Sequence, residues 1–89
     1  MMSKGIYTSR YLFIQGKEVV ISTHAAVQAM RRRIHPEMVE ATVLGGVHKH
    51  FGKRVIKFIR PFKNRTVICV GDDEGLRIVI KTIEWGNRI

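Results

Sequence analysis

Three runs of β-branched residues fill the second half of the chain and leave it few ways to fold. Residues 54–60, 65–70 and 76–84 alternate their side chains with period two, which is the pattern of strands and not of helices. Between them stand Pro61-Phe62-Lys63-Asn64 and Asp72-Asp73-Glu74-Gly75, both short and rich in turn formers. Connections this short join antiparallel neighbours, so the three strands are expected to form a meander.

The first half supplies what packs on that sheet. Residues 7–14 are rich in β-formers, Gln15-Gly16 offers a turn, and Val19-Val20-Ile21 follows, which reads as a hairpin. Ser22 or Thr23 can cap a helix. From His24 onward Val27, Met30 and Ile34 fall at helical spacing and are expected to face the core. His35-Pro36 ends this helix and starts another, with Pro36 in a first-turn position. Glu37 near its start and Gly45-Gly46 after Leu44 bracket a short second helix. The expected fold is α+β in the order β(β)ααβββ: two N-terminal helices packed on one face of an antiparallel sheet. The 89 residues make one domain, 1–89.

Charge sets the class of partner. Sixteen Lys and Arg face seven Asp and Glu, a net charge of +9. Such an excess costs stability through self-repulsion and ordinarily serves a polyanion. The cations are interleaved with apolar residues, as in Arg54-Val55-Ile56-Lys57-Phe58-Ile59-Arg60 and Leu76-Arg77-Ile78-Val79-Ile80-Lys81. That favours a folded basic face over a floppy arm. In the last strand Leu76, Ile78 and Ile80 point one way and Arg77, Val79 and Lys81 the other. If the helices cover the Ile78 side, a basic stripe with Arg77 and Lys81 lies on the open side; one bulge would reverse this parity.

Other features narrow the chemistry. Cys69 is the sole cysteine and sits in Val67-Ile68-Cys69-Val70, so it reads as a core thiol. The N-terminus has no apolar leader segment and no window reaches transmembrane length. A cytoplasmic protein without a membrane partner is expected. His48-Lys49-His50 places two His on one side of an extended segment. No third ligand at conventional spacing accompanies them, so no metal site and no other cofactor is expected. Their alternatives are a solvent-exposed edge, phosphate contact, or the second His of an acid–base pair.

The helix from His24 carries the sharpest pattern. Gln28, Arg31 and Arg32 follow His24 at four, seven and eight residues and share its side. Metal-independent RNA cleavage needs a base for the 2′-hydroxyl, an acid for the leaving 5′-oxygen and fixed cations for the phosphorane. His can serve either proton role near neutral pH, and Arg forks onto phosphate oxygens. The plain alternative is a His that caps or packs at a helix start, beside a solvated Arg face. In the closing strand Lys81 can hold a phosphate, Glu84 can act as a base and Trp85 can stack on a nucleobase. Equally, Trp85 can close the core and Glu84 can pair with a cross-strand cation.

These residues carry a resemblance. Ser22-Thr23-His24-Ala25, then Arg32 and Ile34, then Pro36-Glu37-Met38-Val39-Glu40, a Gly-containing loop, three strands and Ile80-Lys81-Thr82-Ile83 look like domain-of-unknown-function family 4258, from Val19 to Trp85. That family is similar to the RelE/ParE-type toxins and to the barnase–EndoU–colicin–RelE ribonuclease group. The resemblance implies a helical pair on an antiparallel sheet and a metal-independent ribonuclease encoded beside an antitoxin. His24, Arg32 and Thr82 match the family's polar positions. The family's first Arg is Gln28 here, and its Gly after the second Arg is Arg33.

The expected function is a toxin-like endoribonuclease, with His24, Arg31, Arg32, Lys81 and Thr82 as the catalytic set. Gln28, Arg54, Lys57, Arg77, His48 and His50 are the expected RNA contacts. The alternative is a non-catalytic RNA- or DNA-binding module, and a protein-directed toxin of the gyrase-inhibiting kind is a third. The expected partners are RNA and an acidic antitoxin, and a homodimer is left open.

Overall fold

A computed structural model describes residues 12–86. Of the β-rich stretch 7–14, residues 7–11 lie outside the described residues. The fold is α+β, with eight elements: β1 (Leu12–Ile14), β2 (Lys17–Ile21), α1 (Thr23–Arg31), α2 (Pro36–Gly45), β3 (Val47–Phe51), β4 (Val55–Phe62), β5 (Arg65–Asp73) and β6 (Arg77–Gly86). They form one six-stranded sheet in the order β1-β2-β6-β5-β4-β3.

Local chemistry accounts for most junctions. Gln15 and Gly16 both have positive φ, 53° and 80°, as a two-residue turn between twisted strands requires. The Ser22 side chain accepts the Ala25 N–H at 3.1 Å and caps α1. Pro36 opens α2, where no intrahelical N–H is needed. The β4–β5 turn is tighter than expected. Phe62 pairs with Arg65, which leaves Lys63 and Asn64 as the turn, with Lys63 at φ 36°.

Three expectations are corrected. First, the sheet is mixed: β2 and β6 run parallel, Val19 opposite Ile78 and Ile21 opposite Ile80. The helices carry the chain away after β2, and the last strand returns beside it, which is the crossover a parallel pair needs. Second, the order is ββααββββ, because Val47–Phe51 is a strand of its own, antiparallel to β4. Its residues alternate, but His48 and His50 take the inward side and Val47, Lys49 and Phe51 the outward one, so no apolar run announces it. Third, the helices do not lie on one face of an open sheet. The sheet curls, and α2 touches β1 at one edge as well as β4 and β5 in the other half. The helices occupy the trough.

The face of α1 is also corrected. Val27 and Met30 are exposed, while Ala25 and Ala29 are fully buried. Small side chains let α1 lie close against β6, and close approach displaces the bulkier residues to the outside. Ile34 is buried as expected, carried inward by a turn in which Arg33 has φ 59°. That left-handed conformation suits Gly and costs an L-residue roughly 1 kcal/mol. The concave side of the sheet supplies the rest of the core, including Ile56, Phe58, Cys69, Ile78, Ile80 and Ile83.

Cys69 belongs to this core, and burial pushes its thiol up to about 12. The thiolate is the reactive form. Native protein at about pH 8 should therefore fail to react with a thiol reagent and should react fully once denatured. Rapid labelling of native protein would contradict the buried placement.

An ion pair ties the far end of the sheet together. Lys17 of β2 donates to both carboxylate oxygens of Asp73 on β5, at 2.9 and 2.8 Å, and so bridges across β6. The Gly75 N–H adds a bond at 3.0 Å. The Lys17 hydrogen bond, then the Gly75 N–H, hold the Asp73 carboxyl below its ordinary range. A lowered carboxylate contributes stability above its unfolded pKa and loses it as pH falls through the folded value. The loss should therefore come below about pH 4, the unperturbed Asp value. Asp73→Asn should lower stability at neutral pH and flatten the acid limb in urea melts taken across that range.

Candidate nucleic-acid interface

The convex side of the sheet gathers cations by register and not by sequence. Lys49 of β3 stands directly opposite Lys57 of β4. Lys57 stands opposite Val70 of β5, and Val70 opposite Thr82 of β6. Gly71, the next residue of β5, pairs with Ile80, so Lys81 is the extra residue of a bulge. Gly71 permits the close approach there, since a Cβ on it would stand 2.9 Å from the Val79 carbonyl oxygen. The bulge sets Lys81 and Thr82, which strict alternation would send to opposite sides, next to each other at the end of the row.

The row Lys49–Lys57–Lys81 thus crosses four strands on one face. Like charges directly opposite destabilise a strand pair, and Lys49 faces Lys57 without an intervening carboxylate. Lys57 rests over the Phe51 ring at 5.0 Å. Lys81 has a loose partner in Asp72, at 3.6 Å with both side chains partly exposed, worth little in water. Around the row, Val20, Val55, Ile59, Ile68, Val70 and Val79 are half-buried, and Phe13, Val47 and Phe51 are exposed. The face is aromatic at its rim and cationic along its middle.

Compared with family models, curated proteins and solved structures, the chain matches none. The reading of this face therefore rests on its own geometry.

That geometry sorts the expected residues. Lys57, Lys81 and Thr82 come together. Arg77 shares their face but lies in another row, opposite Glu18 and 3.3 Å from Glu74, so its charge is locally balanced. Arg54 sits in the β3–β4 turn, exposed, its carbonyl accepting the Asp73 N–H. His48 turns inward: its Nε2 lies 3.1 Å from the Val43 carbonyl oxygen, and its ring meets Phe58 edge-on at 4.8 Å. His50 lies on the same concave side and is exposed, near enough to Asp73 to help lower its pKa. Among the described residues no group of three or more metal-ligating side chains converges.

The α1 edge is bound up with β6. Beyond Ile80, whose carbonyl accepts the Ser22 N–H at 3.0 Å, β2 no longer covers β6. The side chains of Gln28 in α1 and of Arg32, its C-cap, take its place. Gln28 Oε1 accepts the Ile83 N–H at 3.1 Å, and Arg32 donates to the Ile83 carbonyl at 2.7 Å. The Trp85 indole N–H donates to the Arg32 carbonyl at 2.7 Å. Gln28 and Arg32 thereby act as a short stand-in for a strand. His24 is exposed at the start of α1, its Nε2 3.1 Å from Gln28 Nε2. Arg31 is exposed in the last turn.

Lys49 was missing from the expected contacts. Its signal was present in His48-Lys49-His50, but the two His drew the reading. Its weight appears only when β3 is placed beside β4.

Proposed function

We propose that this chain is an RNA-binding protein whose convex sheet face takes a single-stranded polyanion. The observation that carries the reading is the cation row Lys49–Lys57–Lys81 beside Thr82, with Phe51 at its rim. Lys ammonium groups neutralise successive phosphates, and an exposed aromatic ring offers a base a stacking surface. The opposed Lys49 and Lys57 cost stability in the free protein, and a phosphate between them relieves that cost. The absence from this row of a fixed hydrogen-bond pattern for base edges suits sequence-tolerant binding.

Cleavage of the toxin-like, metal-independent kind is a second reading, and one observation favours it. Through Ser22 and Ile80, the start of α1 is tied to the residue before the Lys81 bulge. His24 therefore starts a helix anchored next to the Lys81 bulge, with α1 on the concave side and Lys81 and Thr82 on the convex side. In that reading His24 takes the 2′-hydroxyl proton, the 2′-oxygen attacks phosphorus as the P–O5′ bond breaks to leave a 2′,3′-cyclic phosphate, the leaving 5′-oxygen takes a proton from water, and Lys81 with Arg31 neutralises the phosphorane. Arg32 contributes by holding β6 and not by touching phosphate. A toxin of this kind would be masked by an acidic antitoxin segment lying along the row, and such a partner should release RNA when it binds.

The test is direct. Pure protein should shift labelled single-stranded RNA at low salt and release it as salt rises. No binding at low salt would overturn the RNA reading. With a chelator present, cleavage of end-labelled RNA that disappears in His24→Ala supports the second reading. Equal cleavage by the variant removes His24 from it.

A further inference from the structure

A second cluster of flat and cationic groups lies at the opposite end of the trough from Lys17 and Asp73. Trp85 is half-buried against the core and fixed by its bond to the Arg32 carbonyl. The Arg65 guanidinium lies 4.0 Å above the centre of its ring. The other two such contacts among the described residues are looser, at 5.0 and 5.5 Å. One of them is next door: Phe62, directly opposite Arg65, is covered by Arg60.

Among the described residues, the charge of Arg65 meets only the Trp85 ring. The ion pairs seen between described residues are those of Lys17, Arg77 and Lys81, and Arg65 enters none. It is exposed beside the half-buried Trp85. Asp72, Asp73 and Glu74 lie at the far end of β5 and β6, away from it. Arg33 directly follows the carbonyl that Trp85 holds. Its φ of 59° is a conformation that Gly would adopt at less cost. Arg33 is exposed there, at the left-handed position of the turn that ends α1, its N–H on the Met30 carbonyl at 3.1 Å and the Ile34 N–H on the Ala29 carbonyl at 2.9 Å.

We propose that Trp85 and Arg65 form a stacking subsite for one unpaired nucleobase, with Arg33 holding the attached phosphate. A nucleobase stacks on aromatic rings and on guanidinium planes alike. Here the two are already stacked, so the base lies on the outer plane of Arg65 and continues the pile. The guanidinium edge and Arg33 then meet the phosphate. The subsite shares its ligand class with the proposed function but none of its residues, and it is reached by a single nucleotide.

Trp85 is the only tryptophan in the chain, so intrinsic fluorescence reads this place directly. Full-length protein is titrated with a nucleoside 5′-monophosphate, the matching uncharged nucleoside, inorganic phosphate and a trinucleotide. Saturable quenching by the monophosphate is expected, with weaker binding of the nucleoside and no quenching by phosphate alone. Arg65→Ala should weaken trinucleotide binding by calorimetry about tenfold, near the lower part of the range for losing one stacked base. Arg33→Gly, which relieves backbone strain and so keeps the fold, should bring the monophosphate down to the nucleoside's affinity. The Lys49/Lys57/Lys81→Ala variant should keep the monophosphate response. No saturable quenching, equal quenching by inorganic phosphate, or unchanged affinity in Arg65→Ala would overturn the proposal. Long-RNA binding that persists in such a case would leave the sheet-face reading standing by itself.

Discussion

Replacing Lys49, Lys57 and Lys81 together with Ala should lower affinity for single-stranded RNA about 100-fold at 0.1 M salt, without unfolding the protein. Each cation that neutralises a phosphate contributes about 0.7 to the slope of log affinity against log salt for single strands. Three of them contribute about 2, and extrapolating that slope from 1 M to 0.1 M salt gives the factor of about 10². The control on folding runs the other way. Lys49 and Lys57 repel each other across β3 and β4, so their removal should leave the melting temperature unchanged or raise it. Arg77→Ala should cost less affinity, because Arg77 lies outside the row, opposite Glu18 and beside Glu74. Filter binding across a salt series reads both the affinity and the slope. Parallel slopes for variant and parent would mean that RNA does not lie on this face.

The row also shows what could and could not be read from sequence. The period-two runs gave three of the six strands, and the hairpin at Gln15-Gly16, the Ser22 cap and the Pro36 start followed from turn and capping chemistry. Those signals are local. Strand β3 was not legible, because an edge strand that turns His48 and His50 inward carries no apolar stripe. With β3 missing, Lys49 had no neighbour, and the row across the strands could not be drawn. The stripe foreseen along β6 took in Arg77 and Lys81; in the fold Arg77 is balanced and the charge continues sideways. The parallel β2–β6 pair was hidden for a similar reason, since register between residues 59 apart, such as Val19 and Ile78, leaves no mark on either strand. Of the spaced residues Val27, Met30 and Ile34, only Ile34, just past α1, is buried; on α1 itself packing distance selected Ala25 and Ala29 in place of Val27 and Met30. Bulk predicts the buried face only when there is room for it.

The double variant Gln28→Ala, Arg32→Ala should lose about 3 kcal/mol of stability, because it strips both partners from Ile83. An N–H or carbonyl left unpaired in a partly buried place costs about 1–3 kcal/mol, and here both ends of one peptide position are exposed at once. For a domain of this size that is a fall of roughly 10–20 °C in melting temperature. The α1–β6 contact should loosen, and with it the seat of Trp85, whose N–H is held by the Arg32 carbonyl. Its emission should therefore shift toward that of a solvent-exposed indole before global unfolding. Arg32→Lys, which keeps one donor for the Ile83 carbonyl, should recover part of the loss. The outcome separates two roles for the same guanidinium. A group reserved for phosphate would be dispensable to the fold, and its removal would change activity at constant melting temperature. A group that substitutes for a missing strand changes the melting temperature first, and activity follows the folded fraction. The 2.7 Å bond to Ile83 argues for the second. A ribonuclease built on this edge would then have to draw its charge from Lys81 and Arg31, and its proton chemistry from His24.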